Sequence, residues 1–250
     1  MFAPKLIAFD LDGTLAESKQ RLSADMGELL SQLTHKMPVA VLSGGGWPQF
    51  EAQFLLALPD DTKLEHLYLF PDNAAQCYIY RNARWSTYYN ESFSDKESAH
   101  IFTCLEEALE ETGFANPTYQ IWGERIEDRG AEITFSALGQ EAPLEIKHTW
   151  DPTKEKRRPL YELLLKKLPE CSIGLNATTS IDITRKGVNK AFGVRKLAGL
   201  TELSVAEMLY VGDALDEGGN DSVVIETGIK THQVFGPEET TKVIEEILAK

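Results

Sequence analysis

The sequence predicts an α/β protein with a three-layer, parallel-sheet core and an inserted α+β domain. Short apolar runs alternate with helical patterns at both ends of the 250-residue chain, which is typical of parallel α/β structure. The middle of the chain instead combines strand pairs with isolated helices, which indicates an antiparallel α+β unit. We therefore expect the core at residues 1–80 and 186–250 and the inserted domain at residues 81–185.

The first third of the chain follows the order strand, helix, strand, helix, strand. Its strands are short apolar runs bounded by polar or glycine residues, which suits buried parallel strands. Its first helix shows helical spacing of apolar residues, with Ser23 as a candidate N-cap. The predicted elements are Lys5–Phe9, Ser23–His35, Pro38–Leu42, Trp47–Leu56 and His66–Phe70.

The rest of the chain changes pattern twice. Near-alternating aromatic residues at 76–90 predict a hairpin that turns near Asn82, and helices and paired strands follow it. Those helices are predicted at Glu97–Gly113 and Pro152–Leu168, and the strands at 119–137, Cys171–Leu175 and Ser180–Thr184. The α/β rhythm then returns from Gly187. Its helices are predicted at 188–198 and Pro237–Ala249, and its strands at Met208–Val211 and near Val223 and Val234.

Composition and charge exclude several classes of function. Apolar residues make up 42% of the chain and charged residues 26%, as in an ordinary folded protein, and the longest apolar runs are too short to span a bilayer. The formal net charge of −14 leads us to expect neither nucleic-acid nor membrane partners. Three widely spaced cysteines and an N-terminus without a secretion signal predict a cytoplasmic protein with free thiols. Monomer and homodimer both stay open.

The strongest chemical signal is Phe9-Asp10-Leu11-Asp12-Gly13-Thr14, directly after the first predicted strand. Ligands of open α/β sheets bind at the carboxyl ends of strands, where both carboxylates lie. One carboxylate can attack phosphorus and hold a metal ion while the other moves a proton at the leaving oxygen. Thr14 can offer its hydroxyl to a phosphate. An EF-hand loop is the alternative, but residues 14–21 lack its further acidic ligands.

Later elements add groups that suit an anion or a cation. Ser43 follows the second apolar strand and precedes Gly44 and two more glycines, so a hydroxyl and unhindered N–H groups form an anion cradle. Lys190 stands at the start of a predicted helix. Asp213 follows a buried strand, and a glycine-rich turn then carries Asn220 and Asp221, oxygen ligands that suit Mg²⁺. Each element taken singly also fits an ordinary turn or a solvated lysine.

Together and in this order, these elements resemble the four motifs of the haloacid dehalogenase superfamily of phosphotransferases. The resemblance covers residues 5–80 and 186–236 and implies a Rossmann-like three-layer core. It implies that Asp10 is the nucleophile that forms an aspartyl-phosphate and that Asp12 is the general acid and base. It also implies that Ser43 binds the transferred phosphoryl group and that Lys190 neutralises its charge.

The same resemblance implies Mg²⁺ as the cofactor. The implied ligands are Asp10, the backbone carbonyl of Asp12, and Asp213, with Asn220 and Asp221 supporting the metal. Whether Asp216 or Glu217 joins a second cation site stays open at this point. A carboxylate and a phosphate dianion repel each other, so a cation and a lysine are needed to offset that charge.

The inserted domain resembles the type-two caps of sugar-phosphate phosphatases, and within that group those of eukaryotic-type phosphomannomutases. The segment from Arg125 to Arg129 resembles the part of the cap that binds the distal phosphate, and Ser180 and Asp182 the part that binds sugar hydroxyls and phosphate. The loop 212–221 also resembles that of the mutases. The mutase pattern places an arginine where this chain has Gln140, which removes one charged anchor for a second phosphate.

Two enzymatic functions follow from these resemblances. The first is a Mg²⁺-dependent phosphatase that acts on a small phosphorylated sugar or related metabolite. The second is a phosphomannomutase-like enzyme that uses the same first half-reaction. Gln140 favours the phosphatase, and the 212–221 loop favours the mutase. A receiver-type signalling domain is a poor fit, because it lacks a large insertion and a DxDGT motif. A catalytically inactive binding protein is also a poor fit, because all four motifs are present.

Overall fold

The computed structural model describes residues 3–175, 178–216 and 218–249, and the chain forms two compact units. The core unit comprises Met1–Asn90 and Val188–Lys250, and the cap unit comprises Glu91–Gly187. No helix within the described ranges is long and apolar enough to cross a membrane. The three cysteines are buried free thiols.

The core unit is built on a seven-stranded sheet with the order β11-β10-β1-β2-β3-β4-β5. The five strands β11, β10, β1, β2 and β3 are parallel, and the hairpin β4–β5 extends one edge in antiparallel fashion. Their bounds are β1 Leu6–Asp10, β2 Val39–Leu42, β3 Leu67–Phe70, β4 Gln76–Arg81, β5 Arg84–Asn90, β10 Met208–Gly212 and β11 Lys230–Gln233.

Helices cover both faces of this sheet, as a three-layer core requires. The core helices are α1 Ala24–Lys36, α2 Trp47–Gln49, α6 Lys190–Thr201 and α7 Pro237–Leu248. Helix α2 continues as a π-helical turn, Phe50–Phe54, and a 3₁₀ turn, Leu55–Ala57. One apolar cluster joins α1, α7 and the π turn to Ile7 and Phe9 of β1. A second cluster joins α6 to Leu6 and Ala8 of the same strand. Because successive strand residues point to opposite faces, the fully buried β1 contributes to both clusters.

The hairpin β4–β5 corrects the predicted domain boundary. Residues 81–90 were expected in the inserted domain, but β4 pairs with β3 of the core sheet through Tyr68↔Ile79 and Leu69↔Tyr78. The turn lies at Asn82 and Ala83, as the aromatic pattern predicted, and both have positive φ angles of 53° and 58°. Alternation identifies a hairpin but not the sheet it joins, so the sequence placed the boundary too early.

The cap unit has a four-stranded antiparallel sheet with the order β6-β7-β9-β8. Its strands are β6 Ile126–Asp128, β7 Glu132–Ser136, β8 Cys171–Gly174 and β9 Ser180–Arg185, and its helices are α3 Asp95–Glu111, α4 Leu144–Trp150 and α5 Arg158–Lys167. Helices α3 and α5 pack on the apolar face of the sheet. The other face carries polar residues, since Glu132, Thr134 and Ser136 alternate with the apolar residues of β7.

Apart from the start of α3, three predicted elements differ from the structure. Helix α4 was not predicted, and α5 begins at Arg158 instead of Pro152, because a buried ion pair between Arg157 and Asp151 (2.8 Å) holds the preceding turn. The strand pair expected from residue 119 begins only at Ile126. The short strand expected near Val223 is a 3₁₀ helix, Ser222–Thr227, which packs against the sheet through Val224.

Candidate active site

The candidate site lies at the carboxyl ends of three adjacent parallel strands of the core unit. Strand β1 pairs with β2 on one side and β10 on the other. Asp10 ends β1, Ser43 follows β2, and Asp213 follows β10. The pairing of these strands brings together residues that lie far apart in the sequence, at the edge where α/β sheets bind ligands.

Lys190 joins two of the acidic residues. Its side chain is 1% exposed, and its Nζ donates to Oδ1 of Asp10 (2.5 Å) and to Oδ1 of Asp221 (2.6 Å). Lys190 is the first residue of α6, which begins there because the Asn189 side chain caps the N–H of Phe192. A lysine buried to this degree requires anionic partners, and both are present.

Burial and charge shift the pKa values of this cluster. Burial raises the pKa of Asp10 to about 7, although the charge of Lys190 opposes the rise. Burial also raises the pKa of Asp213, and the charge of Asp221 adds to this effect. Burial lowers the pKa of Lys190, but the carboxylates of Asp10 and Asp221 outweigh burial, and its pKa is raised overall. The site therefore carries more negative charge than its lysine can offset.

The acidic cluster fits a hard divalent cation. Asp10, Asp213 and Asp221 each offer a carboxylate oxygen, and these oxygens lie within 4.8 Å of one another. Oxygen-only donors of this charge suit Mg²⁺. Gly13 is needed for this packing, because its φ is +86° and a Cβ there would lie 2.5 Å from Oδ2 of Asp213. Asp10 and Asp213 are the residues best placed to hold Mg²⁺.

Asp221 is already engaged by three donors. Its Oδ1 accepts hydrogen bonds from Lys190 and from the buried hydroxyl of Tyr210, both at 2.6 Å, and its Oδ2 accepts from the N–H of Ala214 at 3.2 Å. The structure therefore gives Asp221 the role of anchoring Lys190, which differs from the predicted metal-supporting role. Asn220, the other predicted metal-supporting residue, is exposed. Tyr210 was missed, because a tyrosine in a buried strand looks like ordinary core packing.

The sequence left open whether Asp216 or Glu217 of this loop joins a second cation site. Asp216 accepts a hydrogen bond from the Gln233 side chain at 3.0 Å, and Glu217 lies outside the described residues. Within the described part of the chain, the acidic cluster consists of Asp10, Asp213 and Asp221 and does not include Asp216. A second cation site at this loop therefore has no support from Asp216.

Thr14 has a different place from the one expected. Its side chain is fully buried, and its hydroxyl donates to Oδ1 of Asp213 at 3.4 Å. Its carbonyl accepts from the Thr240 hydroxyl of α7 at 2.7 Å. Thr14 therefore helps to position Asp213 instead of presenting a hydroxyl to a phosphate.

The loop after β2 has the form expected of an anion cradle. Ser43 is 1% exposed, and its Oγ accepts from the N–H of Gly45 at 3.0 Å. Its backbone carbonyl accepts from the N–H of Asn73 at 2.8 Å, which ties the loop to the turn after β3. Gly44 is half-buried beside it. Binding of a phosphoryl group by Ser43 and Gly44 stays a prediction.

Asp12 is held by a set of donors that was not predicted from the sequence. Its Oδ1 accepts from the backbone N–H of Lys19 (2.6 Å) and from Nε2 of Gln53 (3.1 Å), and its Oδ2 accepts from Nε2 of Gln49 (2.7 Å). Gln49 and Gln53 lie four residues apart on the helical segment after the glycine loop, so they share one face. That spacing was a signal available in the sequence.

The polar face of the cap sheet surrounds Arg129 with carboxylates. Its Nη2 donates to Glu127 (2.7 Å) and its Nη1 to Glu132 (2.9 Å), which is 2% exposed. Burial lowers the pKa of Arg129, but Glu127, Glu132 and Asp182 outweigh burial and raise it overall. Asp182 lies beside Thr134, whose hydroxyl donates to it at 3.0 Å. The predicted phosphate-binding arginine is thus already paired, and this cluster is net negative.

The other predicted cap residues are not all brought together with Arg129. The Arg125 guanidinium lies over the ring of Phe135, 4.9 Å from its centroid, on the apolar face of β7, and burial lowers its pKa. The carbonyl of Ser180 accepts a hydrogen bond from Arg157. Lys147 donates to the Gln140 carbonyl at 2.9 Å. Substrate binding by Arg125 and Ser180 stays a prediction.

Comparison with known proteins assigns the family. The profile of the haloacid dehalogenase-like hydrolases matches residues 7–222, which contain every core residue of the candidate site. The chain belongs to this family. A haloacid dehalogenase-like hydrolase from Bacteroides thetaiotaomicron has a similar fold, with a TM-score of 0.64 at 14% identity over 98% of this chain and 99% of that one.

Two kinds of relatives are similar over nearly the whole chain. Phosphomannomutases from Spinacia oleracea and Saccharomyces cerevisiae are 24% and 21% identical, covering 98% and 97% of this chain and 96% and 93% of theirs. A C-terminally truncated IMP-nucleotidase from Plasmodium falciparum superposes with a TM-score of 0.72 at 17% identity, covering 99% of this chain and 72% of that one. At this identity the structural likeness shows the fold alone, and it confirms the predicted fold class of a haloacid dehalogenase core with an inserted cap.

Proposed function

We propose that this member of the haloacid dehalogenase-like hydrolases is a Mg²⁺-dependent phosphatase of a small phosphorylated sugar or related metabolite. The observation that carries the proposal is the buried pair of Lys190 and Asp10 within a cluster of three carboxylates. A carboxylate held at a strand end beside a buried lysine is suited to nucleophilic attack on a phosphomonoester. Bound Mg²⁺ would supply positive charge that reduces the repulsion between phosphate and carboxylates.

The proposed reaction has two steps, and residues of the core unit act in both. In the first, a carboxylate oxygen of Asp10 forms a bond to phosphorus, the bond from phosphorus to the leaving oxygen breaks, and Asp12 gives that oxygen a proton. In the second, Asp12 takes a proton from water, the water oxygen attacks phosphorus, and the bond to Asp10 breaks. Lys190 offsets charge through both steps, and Asp221 and Tyr210 hold Lys190 in place.

The names of the relatives favour a phosphomannomutase over the phosphatase. Both relatives given above by sequence are phosphomannomutases, and they match this chain almost from end to end. A mutase would use the same first step and then return the phosphoryl group to the other end of the sugar. Phosphomannomutase activity is therefore the second candidate function.

The cap unit supports hydrolysis. A mutase must hold a sugar with two phosphates, which needs uncommitted positive charge. Arg129 is bound to Glu127 and Glu132 instead, and Gln140 stands where the mutase pattern has an arginine. These two features of the cap favour the phosphatase over the mutase.

Phosphorus NMR of purified enzyme with Mg²⁺ and mannose 1-phosphate separates the two functions. We expect inorganic phosphate to accumulate, with little mannose 6-phosphate, whether or not a hexose bisphosphate activator is present. Many isomerisations per phosphate released would make the mutase the correct function. A Glu132→Gln variant, in which Arg129 loses a charged partner, should shift the ratio towards isomerisation.

A further inference from the structure

We propose that Gly45, Gln49 and Gln53 form a positioning device for Asp12, the acid and base of the proposed phosphatase. The inference rests on that proposed function and extends it to three residues with no assigned role. Gln49 and Gln53 are four residues apart on one face of the helical segment that follows the Ser43 loop, and Gly45 lies in that loop, four residues before Gln49. We call them the Asp12 clamp.

The two glutamines hold opposite oxygens of the same carboxylate. Gln49 donates to Oδ2 at 2.7 Å and Gln53 to Oδ1 at 3.1 Å, while the Lys19 backbone fixes Oδ1 from a third direction at 2.6 Å. A carboxylate restrained at both oxygens cannot rotate about its Cβ–Cγ bond without breaking a hydrogen bond. The clamp therefore fixes the plane in which Asp12 exchanges its proton.

Gly45 provides the room that Gln49 needs. A Cβ at position 45 would lie 1.7 Å from Oε1 and 2.3 Å from Cδ of Gln49. Any side chain there would push the Gln49 amide away from where Nε2 reaches Asp12. A glycine is thus needed at position 45 to make room for the Gln49 side chain as well as to let an anion approach the loop.

Gln53 is placed in a way that fold stability does not explain. It is 5% exposed, and its Oε1 is buried without a hydrogen-bond partner among the described residues. A buried amide with an unpaired carbonyl costs free energy that an apolar residue of the same shape would avoid. Its Nε2 bond to Asp12 is the contact that accounts for a polar residue at this position.

The clamp also lies where small molecules can reach it. Gln49 and Gln53, with Lys19, Arg21 and Ala52, line an open cavity of about 480 Å³ on the core unit. A leaving group that enters this cavity contacts the glutamine side chains that hold Asp12. The clamp therefore acts on protonation of the leaving oxygen and not on attack by Asp10.

The test compares leaving groups, because orientation of an acid matters most when the leaving oxygen needs a proton. Gln49→Met, Gln53→Met and Gly45→Ala are compared with the wild type in single-turnover formation of the phosphoenzyme. The substrates are a hexose 6-phosphate and p-nitrophenyl phosphate. We expect each methionine variant to slow the hexose phosphate about tenfold and the aryl phosphate less than about threefold. Glu51→Ala, an exposed position on the same segment, is the matched control and should slow neither.

The outcomes separate this inference from the proposed function. A wild type that forms no phosphoenzyme with any phosphomonoester overturns the proposed function and the clamp with it. A wild type that forms one, with variants that lose equal rates on both substrates or none, overturns the clamp alone. Binding of Mn²⁺, followed by calorimetry, should be unchanged in the glutamine variants, because the cation cluster does not include them. Gly45→Ala adjoins the anion cradle, so its result is judged by the ratio of the two substrates, which should fall as in Gln49→Met.

Discussion

At the scale of single residues, the candidate site is a balance of buried charge. Lys190 touches two of three clustered carboxylates, and burial raises the pKa of Asp10 to about 7. One lysine therefore faces more negative charge than it can neutralise. This imbalance is suited to a site that holds a cation, and it explains why Lys190, Tyr210 and Thr14 each donate a hydrogen bond to one of these carboxylates.

Asp10→Asn should abolish turnover, because an amide cannot replace a carboxylate as the nucleophile. We expect a loss of several orders of magnitude in kcat, on the order of 10⁴ or more. Intact-mass spectrometry after rapid acid quench should show no phosphoenzyme. A variant that keeps more than about a tenth of the wild-type rate would point to attack by water instead.

Tyr210→Phe tests the anchoring role given to Asp221. The variant keeps the ring in its apolar cluster but removes the hydroxyl that donates to Asp221 at 2.6 Å. Loss of a buried charge-assisted hydrogen bond should slow phosphoenzyme formation about tenfold. Tyr68→Phe on strand β3 of the same sheet is the control. If both variants behave like the wild type in rapid-quench kinetics, the Tyr210 hydroxyl does not act through Lys190.

At the scale of elements, helix α3 shows how local sequence fixes a boundary of the cap unit. Ser94 caps the helix by accepting from the N–H of Glu97, and the Glu97 side chain accepts from the backbone N–H of Ser94. The sequence pattern predicted a start at Glu97, whereas the helix begins two residues earlier, at Asp95. Arg185 of β9 adds bonds to Glu97 at 2.9 and 3.1 Å, which tie the helix start to the cap sheet.

Ser94→Ala should lower the free energy of unfolding of the cap unit by about 1 kcal/mol, as loss of an N-cap usually does. The effect should depend on pH through Glu97. Its pKa is lowered to about 2, first by the Arg185 side chain and then by Ser94. A lowered carboxyl pKa stabilises the fold above its ordinary value of 4.5 and stops doing so as pH falls towards 2. Thermal melts from pH 7 to pH 3 should show the difference between variant and wild type shrinking. A difference in melting temperature that stays the same from pH 7 to pH 3 would contradict a contribution from Glu97.

At the scale of the whole molecule, the cation cluster belongs entirely to the core unit, which is formed by two separate segments of the chain. All its carboxylates, Lys190 and the Asp12 clamp lie in Met1–Asn90 and Val188–Lys250. Where the chain leaves the core, Glu91 and Ser92 accept from the Arg185 guanidinium at 3.4 and 3.3 Å, so the two connections to the cap run close together.

A core protein in which a short glycine–serine linker joins Asn90 to Val188 should therefore fold and bind a divalent cation. We expect its Mn²⁺ affinity by calorimetry to be within about tenfold of that of the whole chain, because the oxygen ligands are all retained. Asp213→Asn in the same core protein is the matched control and should weaken binding by more than about tenfold. Equal binding by the two core proteins would remove Asp213 from the cation site.

Much of the site was accessible from the sequence because its residues stand at fixed places relative to strands. Asp10, Ser43 and Asp213 each end or follow an apolar run, and parallel strands carry such residues to one edge. The alternation at 76–90 likewise predicted the hairpin and its turn. These patterns do not show which strands pair with each other, because alternation identifies a strand but not its neighbour in the sheet.

The sequence by itself determined the fold class, the family resemblance and the acidic strand ends, because these depend on local periodicity and short-range spacing. Only the tertiary structure decided which charges meet. Lys190 lies 180 positions from Asp10, and the Asp221 oxygen that accepts its second hydrogen bond also accepts one from Tyr210, which the local pattern placed in a buried strand. Arg129 was expected to bind phosphate, yet a strand turn brings Glu132 against it. Such pairings follow from strand register and burial, which set the distance between charges and so the energy of each interaction.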